Sequence, residues 1–187
     1  EALENGALGE NETQEIRDLV DSIVSGKDTK RREINSNLPD DYTIAGKDVN
    51  AYVRDRYDKF AKPLEAERER VRKELVAYRD RVFEEEKQKF LAKNTHIKED
   101  NPHLRDYATG YTNERLKDDA DYNALGAQIK AIDDQLGNYQ TRRYNAVMAL
   151  GELYAKNAEK PAKASEKTSE NPSESPKESV SSQKKEQ

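Results

Sequence analysis

The stretch "YNALGAQIKAIDDQLGNYQTRRYNAVMALGEL", from Tyr122 to Leu153, decides the fold. Read in steps of three and four, it stops at Tyr122, Leu125, Ile129, Ile132, Leu136, Tyr139, Arg143, Ala146, Leu150 and Leu153. That is a narrow apolar stripe with one charged rung, the spacing of a helix laid along another helix. It predicts a single long helix over Asn113–Asn157.

The partner for this stripe is found upstream. A helix starting near Lys47–Asp48 carries Val49, Val53, Tyr57 and Phe60. Pro63 lacks an N–H and crowds the preceding turn, so a kink or short break is expected there. From Pro63 to Lys93, Leu64, Val71, Leu75, Tyr78 and Val82 fall on one heptad seam, with Arg68 as its charged rung. The stretches 47–93 and 113–157 are nearly equal in length. The simplest arrangement folds the second back on the first. The expected fold is therefore all-α: an elongated antiparallel helical hairpin, coiled-coil-like, about 65–70 Å long at 1.5 Å per residue. A second stripe, Val76, Phe83 and Phe90, implies a second neighbour, and the N-terminal helix is assigned that place.

Residues 1–46 form an N-terminal arm with a short amphipathic helix. After a loose start over 1–10, Asn11 with Gln14 three residues on resembles a capping box. Ile16, Leu19, Val20, Ile23 and Val24 follow at helical spacing, and Gly26 supplies a stop. The loop 27–46 holds a turn of helix near Arg31–Ile34. Between the long helices, residues 94–111 are too many for a structureless loop, so a short helix is expected over Pro102–Ala108. Asn101 starts it and Gly110 closes it. Residues 158–187 are Ser, Lys, Glu and Pro with Val180 as their one large aliphatic, so a disordered tail is expected.

Composition narrows the function. Apolar residues make up 33% of the 187, against the usual ~45–50%, enough to line seams between helices and too few for a thick core. The net charge of −5 comes from 33 basic and 38 acidic residues that are intermixed, which makes nucleic acid a poor partner. The lack of cysteine removes disulfides and thiolate metal sites. No apolar run is long enough to cross a bilayer, so no membrane insertion is expected. The chain begins at Glu1 rather than Met, which leaves room for a removed leader; a soluble location in the cytoplasm or an assembly is expected ahead of secretion.

Candidate sites are few. His96, Glu99, Asp100 and His103 form the one plausible metal cluster, but Asn101–Pro102 interrupts the helix that would align them, and solvated loop residues are the better reading. Asp40–Asp41 and Asp118, Asp119 and Asp121 lack the alternating ligands of a calcium loop, and the latter three suit a helix N-terminus. "SGKDT" at 25–29 lacks the glycine and hydroxyl residue of a phosphate loop. The run "EAERERVRKE" alternates sign and reads as a solvated flank, with Glu69 and Lys73 paired. Tyr57, Tyr78, Tyr122 and Tyr139 fall on the seams as packing residues. Leu104, Tyr107 and Tyr111 fall at the hairpin tip, either as a cap over the helix ends or as a docking surface. Arg68 and Arg143 either reach out of the seam along their stems or fix its register.

These features point to a non-enzymatic structural or interaction protein that uses no cofactor. It would act as a scaffold, adaptor or assembly component of the virion or secretion-apparatus kind. Its partner would be another protein or a second copy, so a homo-oligomer is expected. The partner-binding residues would be Leu104, Tyr107, Tyr111, Val76, Phe83 and Phe90. The alternative is a secreted or surface-displayed helical binding module tethered by its tail.

Overall fold

A computed structural model of the chain describes residues 7–32 and 38–166, with side chains to Glu159. The protein is mostly helical. Five helices are present among the described residues: α1 (Gln14–Val24), α2 (Val49–Lys93), α3 (Leu104–Lys117), α4 (Ala120–Leu136) and α5 (Tyr139–Glu166). A hairpin of two-residue strands, β1 (Thr43–Ile44) and β2 (Lys47–Asp48), precedes α2.

The cap of α1 is Thr13, whose hydroxyl accepts from the Ile16 N–H at 3.1 Å. Asn11 takes no part in that cap. It lies at φ +58°, a region Asn tolerates, and its amide donates to the Thr43 carbonyl at 3.1 Å. Gly26 ends the helix as expected, at φ +77°. Ala45 and Gly46 both have positive φ, which gives the strand hairpin the backbone of a type I′ turn. Asp48 then caps α2 by accepting from the Ala51 N–H at 2.8 Å.

Around α1 lies the main core, here called the head. Ile16, Val20, Ile23 and Val24 pack on Ile44, on Tyr52 and Val53 of α2, and on Ala146, Ala149, Leu150 and Leu153 of α5. A second, thinner seam forms the arm, where α3 and α4 lie along the rest of α2. It buries Val71, Val82, Leu104, Ala108, Leu116 and Ile132. Cross-contacts order the two sides. Phe90 meets Tyr107, Arg79 meets Asn113, Tyr78 meets Asp119, Arg68 meets Asp133, Tyr57 meets Leu136 and Asn50 meets Arg143. Positions on α2 descend as those on the returning chain climb.

Several expectations are corrected. Helix α2 continues through Pro63 without a break. Pro63 is exposed, and on a solvent-facing side water can replace lengthened helix bonds. The returning chain is three helices rather than one. Asp119 caps α4 at the first break, and Gly137–Asn138 forms the second. The linker helix is longer than expected, since α3 runs through Gly110 to Lys117. Nor does α1 cover Val76, Phe83 and Phe90. It packs on the first turns of α2 and on α5, and α3 is the second neighbour at Phe90. Helix α5 also passes Asn157 and ends at Glu166, inside the stretch expected as a tail. Residues 1–6, the second half of the expected turn at Arg31–Ile34, and 167–187 lie outside the described residues, and Arg31 and Arg32 are not helical.

Candidate interaction surfaces

The far end of the arm is built from the last turns of α2 and from α3. Leu104, Ala108, Thr112 and Leu116 recur every four residues, which puts them on one face of α3, and all four are buried. Tyr107 and Tyr111 stand beside that face and lie against Phe90, with ring centroids 5.0 and 5.9 Å away. Both tyrosines stay open, at 47% and 52% exposure. The three tip residues therefore divide: Leu104 is core at 5% exposure, and the tyrosines form a ledge over Phe90.

The stripe Val76, Phe83 and Phe90 is likewise not one surface. Val76 is 45% exposed, whereas Phe90 lies under the tyrosines. Phe83 is half-buried in the wall of a cavity of about 530 Å³ shared with Arg79, Lys87, Glu99, Leu104 and Arg105. The sequence reading missed this cavity. Its signal was legible, because Arg79, Phe83 and Lys87 recur every four residues and so share a helix face.

Polar contacts cross between α2 and the helices beside it at several levels. Arg68 Nε lies 2.7 Å from Asp133 Oδ1 across the α2–α4 seam. Arg143 donates to Asn50 Oδ1 at 3.0 Å and to Gln140 Oε1 at 3.2 Å. Tyr78 donates its hydroxyl to Asp119 at 2.6 Å, which raises the phenol's pKa and lowers that of the carboxyl. Asp119 is also the α4 cap, accepting from the Tyr122 N–H at 3.0 Å, so the Asp118, Asp119 and Asp121 group does serve a helix start. Near the tip, Arg115 pairs with Glu85 and Glu86, and the guanidinium lowers the Glu85 pKa.

The head carries a polar network that the sequence did not disclose. Tyr52 donates to Glu12 Oε2 at 2.6 Å and Arg17 donates to Oε1 at 2.8 Å. Burial alone would raise the Glu12 carboxyl, but these donors and the Gly9 N–H hold it at about 2. Beside it, Arg56 makes a bidentate pair with Asp21 at 2.7 and 2.6 Å. That pair borders a cavity of about 410 Å³ which also touches Ser22, Lys27 and Phe60. His96 and His103 are exposed on the tip loop, and among the described residues no group of three or more His, Asp and Glu could hold a metal ion. Among the same residues, no helix is long and apolar enough to cross a membrane. Compared with protein-family models, curated proteins and solved structures, the chain matches none.

Proposed function

We propose that this chain is a non-enzymatic scaffold or assembly component. In this reading it is an elongated antiparallel helical hairpin, coiled-coil-like where α4 follows α2, whose far end docks a protein partner or a second copy. The observation that carries it is the tyrosine ledge. Two large aromatics are half-exposed at the end away from the head, where burial of such rings supplies most of the affinity of an interface. Elongation is supported by α2 itself. Its 45 residues reach about 67 Å at 1.5 Å per residue. A compact globule of 187 residues has a radius of gyration of about 16 Å and spans only about 40 Å. The descending order of cross-contacts and the seven-residue recurrence of the seam support the hairpin.

The test is cross-linking of a mixture of isotopically heavy and light protein, with and without Tyr107→Ser/Tyr111→Ser. Links between heavy and light copies near Lys93 and Tyr107 that vanish in the double variant support docking through the ledge. Links only within one label, from a protein that sediments as a monomer at high concentration, defeat self-association. A scattering radius near that of a compact globule defeats the rod.

A further inference from the structure

Three helix ends, the C-termini of α1 and α4 and the N-terminus of α5, meet within about two turns of Pro63 in the interior of α2. Pro63 lies in α2 between Phe60 and Arg68. Arg68 faces Asp133, Phe60 lies under the guanidinium of Arg142 at 5.9 Å, and Tyr57 touches both Leu136 and Tyr139, so the Gly137–Asn138 break faces Tyr57, one to two turns of α2 before Pro63. Helix α1 ends there as well, because its Val24 carbonyl reaches the same guanidinium. Of the four helices that come to this level, α2 alone passes through it. One to two turns further along, it carries Pro63, which cannot donate a helix bond and crowds the turn before it.

Arg142 joins the two sides. Its Nη1 donates to Val24 O at 3.0 Å in the head, and to Gln135 O and Leu136 O, both at 2.7 Å, at the end of α4. Each acceptor is a C-terminal carbonyl with no helix donor of its own, at the negative end of a helix dipole. The guanidinium needs room to reach both ends, and two glycines supply it. A Cβ at Gly26 would come within 2.6 Å of Arg142 Nη2, and one at Gly137 would collide with the same group. Both glycines have positive φ.

We propose that this level is a hinge between head and arm, and that Arg142 is its latch. With the guanidinium bound to both helix ends the arm keeps the observed pose. Released, the arm turns about the weakened turn of α2 at Pro63, and Gly137–Asn138 takes up the slack without breaking any helix bond. Such a turn changes the angle at which Tyr107 and Tyr111 are presented, but the hinge does not depend on what they bind.

The chain has no cysteine, so introduced ones carry spin labels without interference. Labels at Glu15→Cys in α1 and Glu114→Cys in α3 sit about 50 Å apart along the helix axes, within reach of pulsed electron resonance. The expected result is one narrow distance distribution for the otherwise native protein. Its width at least doubles with Arg142→Gln and narrows again when Pro63→Ala is added. A width unchanged by Arg142→Gln overturns the latch, and broadening that Pro63→Ala does not reverse overturns the hinge. If Arg142→Gln loses its helical circular dichroism, native-state hydrogen exchange of the unaltered chain decides. Amides of Leu64–Glu67 should exchange at least tenfold faster than those of Val71–Glu74, and equal protection refutes the hinge.

Discussion

Glu12 offers the sharpest test of how the head is held. Its side chain is 6% exposed and accepts from Arg17, from the Tyr52 hydroxyl and from the Gly9 N–H. The carboxyl's pKa is thereby lowered from its ordinary 4.5 to about 2. A folded-state pKa below the unfolded one stabilises the fold above about pH 4.5, and that stability is lost as the pH falls through about 2. At about 1.4 kcal/mol per unit the ceiling is about 3 kcal/mol, and screening at the edge of the head reduces it to about 1–2 kcal/mol. Glu12→Gln keeps the shape and removes the titration. Urea denaturation of both proteins at pH 7 and pH 3 reads the difference. The advantage of the native protein should shrink by about 1 kcal/mol at pH 3, or about 2–4 °C in melting temperature. Exposed carboxylates lowered by arginine neighbours, such as Glu67 beside Arg70 and Glu69 beside Arg72, are common to both proteins and cancel. A gap of equal size at the two pH values would refute the reasoning, because Glu12 would then contribute by packing alone.

The remaining expectations are read by thermal or urea melts. Val53→Ala, at a site with no exposure, should cost about 2 kcal/mol, while Val76→Ala, at 45% exposure, should stay within about 0.5 kcal/mol. Gly110→Ala should stabilise by about 0.5–1 kcal/mol, because an added Cβ meets nothing within 4 Å in a helix interior. Gly137→Ala should cost more than about 1 kcal/mol, since φ +60° with ψ −160° is a region only glycine occupies freely. Pro63→Ala should raise stability by about 1–3 kcal/mol, restoring a helix bond on an exposed side. A neutral result there would mean that α2 is not weakened at Pro63.

What the sequence disclosed is what periodicity can carry. Apolar residues at three- and four-residue steps need a helical surface to bury them, and Val71, Val82, Ile132 and Leu150 are buried accordingly. The Glu12–Tyr52 contact joins residues 40 apart and has no local signature. The Thr13 cap was hidden by a stronger-looking pair, Asn11 with Gln14, whose first member the strand hairpin uses instead. At the tip the aromatic residue types were legible. Their division between core and surface was not, because it depends on which face of α3 meets α2.

The missed break at Gly137–Asn138 has a physical reason. The steps from Leu136 to Tyr139 and on to Arg143 remain three and four, so the break adds no residue out of phase and periodicity passes over it. A glycine after an apolar residue and an asparagine before a helix were both present as signals. Asn138 does act as a cap, accepting from the Thr141 N–H at 3.0 Å. A break that keeps phase lets α5 hold its apolar face inward while its partner changes. From Tyr122 to Leu136 the stripe lies on α2, whereas Ala146, Leu150 and Leu153 lie in the core around α1. Arg143 stands between these two halves, about one turn past the break, and its long cation reaches Asn50 in the first turn of α2. The stripe that looks continuous in the sequence is two seams joined at one joint. The polar rung stands one turn past that joint, where its partners are the polar Asn50 and Gln140.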